Sequence, residues 1–253
     1  MGVGAPAPPA ESGSVVTRSR RPLALAVERN RTPVIMAVWK RVERLPRTLE
    51  LLAEQDLPAT LYVWNNNRKE SGIVDRAIRA SPIPAQSFHC SRNIGCFGRF
   101  YLARELAGSH AAALFVDDDQ DFGPTMIADQ LASFESKSLA GWWAFRYRTG
   151  ARSYAERDRV DVPLGPADYV GVGGMVADAS VFTDPRLFRC PRRYWFVDDI
   201  WLSYFAGHIR GWSLRRSLAD FEFVADGLNI DTTLAATKRR MFRYLKRRGW
   251  SVA

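Results

Sequence analysis

The sequence predicts an α/β domain with a mostly parallel central sheet flanked by helices. Strand-like and helix-like stretches alternate four times within about 90 residues, and such alternation builds right-handed βαβ units. The strand-like stretches are apolar runs, as expected of parallel strands buried on both faces. Their carboxyl ends carry polar or aromatic groups, which is where open α/β sheets bind ligands.

The elements follow in order. Residues 1–30, rich in Pro, Ala, Gly, Ser and Arg without periodicity, read as a disordered tail. "TPVIMAVW" (32–39) is a buried strand, and "RLPRTLELLAEQ" (44–55) carries Leu45, Leu49 and Leu52 as a helical stripe. "ATLYVWNNN" (59–67) is a strand ending in three amides, followed by a short helix at 72–80 and a third strand, "QSFHC" (86–90). "GRFYLARELAG" (98–108) is a helix and "HAAALFVDDD" (110–119) a strand. Beyond Asp121 the pattern changes. "GWWAFRYR" (141–148) reads as an aromatic strand, 148–167 as a polar loop, and 168–182 as a short strand, glycines and a short helix. Residues 195–214 predict a helix with Asp198 and Asp199 in its first turn, where the helix dipole favours carboxylates. A strand follows near 212–217, and 233–253 closes as a basic amphipathic helix.

Composition narrows the function classes. Of 253 residues, 47% are hydrophobic, enough for a sizeable core. No apolar run reaches membrane-spanning length, and the N-terminus lacks a secretory pattern. Cys90, Cys96 and Cys190 form no C-x-x-C pair and read as free, buried thiols of a cytoplasmic protein. The formal charge of +9 belongs to the ends: residues 1–31 hold five Arg and two Glu (+3), 238–253 hold seven Lys or Arg and no acid (+7), and the body between is −1. A near-neutral body argues against a nucleic-acid-binding domain. The basic C-terminus has its own expected partner, an anionic membrane surface met by an interfacial helix with Met241, Phe242 and Leu245 on its apolar face. The competing reading docks that face on the domain.

"LFVDDDQDF" (114–122) raises the chemical question. A buried strand ends on carboxylates that repel one another and raise one another's pKa. Either a metal ion or a set of basic side chains answers them. A strand ending in D-x-D suits a hard divalent cation, Mg2+ or Mn2+, which leaves positions open for phosphates. The bland reading is a solvated turn before a helix. Trp39, Asn65, Asn66 and Asn93, at or just past other strand ends, are suited to holding a base, a ribose and phosphates; Lys40, Arg92 and Arg99 are candidate phosphate contacts.

Taken together, the segments resemble a GT-A glycosyltransferase of the family-2 type, from about Thr32 to Trp212. "PVIMAVWKRVERLPRTLELLAEQ" resembles the family's opening strand and helix, and "SRNIGCFGRFYLA" its Asn-x-Gly segment. "LFVDDD" resembles its D-x-D strand, "VGVGGMVADASVF" its glycine-containing acceptor segment, and "VDDIWLSYFAGHIRGW" its Glu-Asp helix. The resemblance implies one domain over 31–232, with a nucleotide-sugar half (31–122) and an acceptor half (123–232). It implies transfer of a hexose from a nucleotide sugar, a UDP-sugar first, to a hydroxyl of a glycan, a lipid-linked, protein or modified nucleic-acid acceptor, with inversion. Asp117 would lie at the donor ribose or metal, Asp119 on the Mn2+ or Mg2+ ion, and Asp118 in support. Asp199, with Asp198 beside it, would be the general base. The chain departs from the family in several places. "WNNN" replaces the uracil-reading Asp, so the base stays open. Trp201 stands at an often acidic position, and no His follows His208, leaving Asp226 as a substitute metal ligand. His89 and His208 read as packing or hydrogen-bonding residues; Trp142, Trp143 and Trp195 read as a sugar platform or as core. The alternatives are a nucleotidyltransferase, against which "VWKRVERLP" lacks a glycine-rich loop, and a non-catalytic membrane-surface or nucleic-acid binding module.

Overall fold

The computed structural model describes residues 23, 25–225 and 231–251. Strand β1 (Thr32–Val38) forms the centre of the sheet, because its side chains are apolar on both sides. Val34, Met36 and Val38 enter one core and Ile35 the other, each 1% exposed or less. β1 pairs in parallel with β2 (Ala59–Asn65) and with β4 (Ala112–Asp117), and β2 pairs in parallel with β3 (Ala85–His89). The intervening helices are α1 (Leu45–Ala53), α2 (Ser71–Arg79) and α3 (Gly98–Leu106). Each lies within a few residues of its sequence expectation.

The second half adds β5 (Gln120–Phe122), α4 (Met126–Ala132), β6 (Ser138–Gly141), β7 (Ala144–Tyr147), β8 (Arg157–Arg159), β9 (Tyr169–Val170) and β10 (Met175–Asp178). Helix α5 (Asp198–Ser203) then runs into a π-helical turn at Tyr204–Ile209 and is followed by β11 (Ser213–Arg216), β12 (Phe221–Phe223) and α6 (Asp231–Lys246). The main sheet has seven strands in the order β11-β6-β10-β4-β1-β2-β3. It is mostly parallel, with β10 antiparallel to both β4 and β6. Residues of α1, α2 and α4 cover one face, and residues of α3, α5 and α6 cover the other.

Three expectations change. The single strand expected at 141–148 is two: β6 stays in the main sheet, while β7 leaves it for a small sheet ordered β8-β7-β9. The break falls at Trp142–Trp143, where Trp142 N–H donates to Gly174 O and Gly171 N–H to Trp143 O. The loop expected at 148–167 contains β8, paired antiparallel with β7. The helix expected at 195–214 is α5 plus the π turn, in which Arg210 N–H reaches back to Phe205 O at 3.0 Å.

The tails also differ from expectation. Most of residues 1–30 lie outside the described residues, but 25–30 are held. Ala26 exchanges hydrogen bonds with the Gln86 side chain and accepts one from Tyr62 Oη at 3.1 Å. The expected membrane-facing stripe of α6 is inside the protein: Met241, Phe242 and Leu245 are fully buried. Phe242 packs at 4.9 Å from Tyr147, and Trp250 at 5.9 Å from Tyr204. The docked helix therefore stands. An apolar face buried in the core is not available to an acyl layer. Leu245→Ala should cost about 2–5 kcal/mol of stability, the range for truncating a buried leucine. Urea unfolding measures this; a loss within a few tenths of a kcal/mol would mean that α6 is not docked in solution.

Candidate active site

The carboxyl ends of the parallel strands line up. Val38 pairs with Asn65, Asn65 with His89, and Ala37 with Asp117. The chain runs β1-β2-β3 to one side and returns to place β4 on the other side of β1. That reversal makes the ends of β1 and β4 the topological switch point, where such sheets form their ligand crevice. Trp39, 37% exposed, stands on its rim with the Lys40 ammonium 4.8 Å from the ring centre.

Asp117 ends β4, and Asp118 and Asp119 form the turn into β5. The turn is fixed from both sides: Asp117 N–H donates to Gln120 Oε1 at 2.9 Å, and Val224 N–H to Asp119 O at 2.8 Å. The reading of a solvated turn leading directly to a helix is thereby replaced, because Asp121 lies on β5. Three arginines at the start of α1 and just before it answer the charge. Arg41 lies 3.3 Å from Asp118 and 3.6 Å from Asp119. Arg44 meets Asp121 at 2.5 Å and donates to Asp118 O at 3.1 Å, and Arg47 lies 3.6 Å from Asp121. Burial, then the Asp117 charge, pushes Asp118 up to about 6 against the pull of Arg41. Burial, then Asp117 and Asp118, pushes Asp119 up to about 7. Among the described residues, the cation that meets Asp119 is Arg41, at the longer distance of 3.6 Å.

Arg99, on the first turn of α3 and 3% exposed, links this turn to the second acidic pair. Its Nη1 donates to Asp117 Oδ1 at 2.6 Å, and its Nε and Nη2 donate to Asp198 at 2.9 and 3.2 Å. Burial alone would lower the guanidinium pKa; Asp198 and Asp117 overcome it and hold Arg99 well above its ordinary value. Arg99 is therefore spent inside the chain and does not face a phosphate, contrary to the sequence expectation. Gly173 makes room for the same tie. A Cβ there would lie 2.1 Å from Asp117 Oδ2, so the glycine segment lets the carboxylate press against backbone.

Asp198 and Asp199 part company on α5. Asp198 is buried, with both oxygens occupied by Arg99, and so cannot receive a substrate proton. Asp199 is half-buried; its Oδ1 accepts from Ile200 N–H at 2.8 Å and its Oδ2 from Tyr169 Oη. Tyr169 in turn accepts from Tyr154 Oη at 3.2 Å. The Arg157 guanidinium lies 3.7 Å from the centre of the Tyr154 ring. Burial, then the Asp199 charge, raises the Tyr169 hydroxyl well above its ordinary value, so it stays a proton donor to Asp199.

Several expected contacts are not made. Asn65 donates to Asn67 O and meets His89 Nδ1, while its own Oδ1 receives Asn67 N–H. Asn66 donates to Gly95 O and accepts from Ile94 N–H and Trp64 Nε1. These amides hold loops and are not turned to a base; of the three strand-end amides, Asn67 is the one whose Oδ1 has no hydrogen bond among the described residues. Asn93 Oδ1 accepts from Gly95 N–H at 2.8 Å, closing a turn in which Gly95 has φ +71° and a Cβ would lie 2.7 Å from Trp195 O. His89 bonds Asp75 and Asn65, and His208 stacks on Tyr204. Trp142 is buried and Trp195 stacks on Phe97; Trp143 is half-buried against Phe145. Trp201 is buried and donates to Leu187 O. Cys90, Cys96 and Cys190 are free thiols, of which only Cys190 is buried. Asp226 lies outside the described residues. Arg41, Arg44, Tyr154 and Tyr169 were missed. The first two carried a signal, three arginines three residues apart opposite an acidic turn; the tyrosines carried none.

Among the described residues no three His, Cys, Asp or Glu side chains are grouped to hold a metal unaided. The donor set nevertheless fits a divalent ion shared with phosphates, for which one or two carboxylates suffice. Asp119, raised by burial and then by its acidic neighbours, would supply the hard oxygen.

Solved structures with the same architecture include glycosyltransferases and a nucleotidyltransferase. The structure of GalNAc-T7 with UDP, GalNAc and Mn2+ superposes with a TM-score of 0.59 at 11% identity, over 77% of this chain and 44% of that one. The chain has the GT-A fold. S. aureus TarS (1–349) with UDP gives 0.50 at 16%, over 74% of this chain and 57% of that one. The inositol-1-phosphate CTP transferase from T. maritima gives 0.50 at 10%, over 83% and 97%. The chain thus spans about half the length of the glycosyltransferases it matches. No protein-family model and no curated protein matches the chain. In this fold the acidic turn lies at the carboxyl end of β4, in the middle of the seven-stranded sheet.

The raised carboxylates make a pH prediction. An acid whose folded pKa exceeds its unfolded value stabilises the fold fully below the unfolded pKa, and that stability is lost as pH rises through the folded pKa. For Asp118 and Asp119 the loss runs from about pH 4, the ordinary carboxylate value, to about pH 7 (folded values about 6 and about 7). The metal-free protein should therefore lose melting temperature across that range, and Asp118→Asn/Asp119→Asn should flatten the loss. Mn2+ should restore more at pH 8 than at pH 5, since protons compete with the ion. An equal pH slope in the double variant would remove these carboxylates from the account.

Proposed function

We propose that the chain is an inverting, metal-dependent glycosyltransferase that uses a nucleotide-sugar donor and a hydroxyl acceptor. The observation that carries this reading is the pairing, through Arg99, of an acidic turn at the end of β4 with a second acidic pair on α5 in a GT-A chain. The UDP and Mn2+ in the GalNAc-T7 structure and the UDP in the TarS structure support a UDP-sugar as the first donor to test. The domain limits proposed are 31–232, with 31–122 for the donor and 123–232 for the acceptor.

The residues divide the work. Trp39 stacks on the base and Asn67 Oδ1 takes a hydrogen bond from it. Asp117, oriented by Arg99 and Gly173, meets the donor ribose. Asp119, with Asp117, would hold Mn2+ or Mg2+, and Asp118 and Arg41 set the charge around it. The bound ion would neutralise the leaving diphosphate. Asp199 accepts the proton of the acceptor hydroxyl as that oxygen bonds to the anomeric carbon. The anomeric carbon–oxygen bond breaks on the opposite face, and the diphosphate leaves with the electron pair. Tyr169 and the Ile200 amide fix the carboxylate and leave each of its oxygens a lone pair for the incoming proton.

A screen of nucleotide sugars with Mn2+, following donor hydrolysis and transfer, tests the reading. Asp199→Asn should keep donor affinity and cut turnover by roughly 10²- to 10⁴-fold, the worth of a general base. Asp119→Ala should remove the Mn2+ dependence of nucleotide binding. A variant at Asp199 that retains most of its turnover contradicts the base assignment. Pyrophosphate release from a nucleoside triphosphate and a sugar phosphate, with no sugar transfer, would replace the reading with nucleotidyl transfer.

A further inference from the structure

With the apolar face of α6 buried in the core, its basic face remains to be explained. Arg240, Arg243 and Arg247 recur at a spacing of three and four residues, which sets them along one side of the helix. Opposite them is the turn at Arg192–Tyr194, just before α5. Between the two elements lies a cavity of about 520 Å3 lined by Arg193, Tyr194, Arg240, Arg243, Tyr244 and Arg247.

The chemistry of this lining is one-sided. Four guanidinium groups face one space, and no carboxylate lines it. None of the four is in an ion pair among the described residues; Arg240 has a hydrogen bond to Thr237 Oγ1, and Arg193 lies over the Tyr194 and Tyr244 rings at 5.0 and 5.6 Å. The tyrosine rings are themselves fixed, 5.4 Å apart, and neither hydroxyl has a hydrogen bond among the described residues. Several arginines elsewhere, Arg41, Arg44, Arg99, Arg186, Arg210 and Arg216, do meet carboxylates. Like charges gathered without a counter-charge raise the local potential and attract an anion. All four are arginine and none is lysine, and the planar fork matches phosphate oxygens two at a time. The volume admits a compact, multiply charged group.

We propose that this cavity is a binding site for a phosphate-bearing group, separate from the acidic crevice and independent of the reaction assigned to it. Arg240, Arg243 and Arg247 contact the anion from α6, Arg193 contacts it from the facing turn, and the two tyrosine hydroxyls donate. Because Arg193 and Tyr194 directly precede α5, and α6 packs on α5, the site sits beside the segment that carries Asp199. The phosphate comes either from a soluble molecule or from a lipid headgroup, with α6 lying flat on the surface and its apolar face still docked.

The test uses the full chain and tripolyphosphate as the probe, titrated calorimetrically at low and high salt. Tripolyphosphate should bind, more weakly at high salt. Arg240→Gln/Arg243→Gln/Arg247→Gln should bind roughly tenfold more weakly or worse, the worth of one lost charge-assisted hydrogen bond. Arg193→Gln should show the same direction from the other wall. Melting temperatures should match the parent, since these side chains are exposed. Absence of binding at low salt, or equal affinity in the parent and both variants, overturns the site. Flotation then separates the two sources. Capture by phosphatidylglycerol vesicles that tripolyphosphate releases, with none by phosphatidylcholine, assigns the headgroup. Tripolyphosphate binding without vesicle capture assigns a soluble phosphate.

Discussion

The Arg99 guanidinium holds together the two acidic ends of the molecule. It is buried between Asp117, where β4 ends, and Asp198, where α5 begins. A charge in that position is costly to desolvate and is tolerated only with full pairing. Three of its nitrogens find carboxylate oxygens, so the requirement is met, and it fixes where the strand end and the helix start lie relative to each other. Removing one partner of such a set typically costs about 3–5 kcal/mol, because the others stay buried without a counter-charge. Gly98, in the same turn of α3, permits the approach, since a Cβ there would overlap the Trp64 indole at 2.0 Å. The position of Asp199 therefore follows from packing around Arg99 more than from α5, which is six residues long.

Charge around the crevice is graded. Asp117 and Asp198 share Arg99, Asp121 has Arg44 and Arg47, and Asp118 has Arg41. Among the described residues Asp119 has only the longer contact with Arg41. The question raised by four carboxylates in "DDDQD" thus has a double answer. Basic side chains neutralise most of the cluster, and the proposed cation would answer the remaining carboxylate. The same arithmetic, with opposite sign, describes the arginine cavity beside α6.

The pairs β1-α1, β2-α2 and β3-α3 and the strand β4 were legible from the alternation of strand-like and helix-like stretches, a signal that local sequence contains. The acidic turn and Asp198–Asp199 were legible as motifs, but their division of labour was not. Adjacent aspartates look equivalent in sequence; only the fold shows that Asp198 faces Arg99 and Asp199 faces Tyr169. Asn65 and Asn66 misled for a similar reason. An amide at a strand end serves a ligand or a neighbouring loop equally well, and Ile94, Gly95 and Asn67 claimed them. The stripe on α6 was visible, but amphipathicity does not say whether a membrane or Tyr147 and Tyr204 will cover it.

The central claim is that Arg99 couples the donor side of the crevice to the base side. Arg99→Lys keeps the charge and removes the planar fork, so one ammonium cannot satisfy Asp117 and both oxygens of Asp198 at once. The decisive measurement is a side-by-side comparison of this variant and the parent for Mn2+-dependent nucleotide affinity and for turnover, on folded protein. Loss of both together is the result the account predicts. Retention of both, or loss of turnover with nucleotide affinity unchanged, would contradict it.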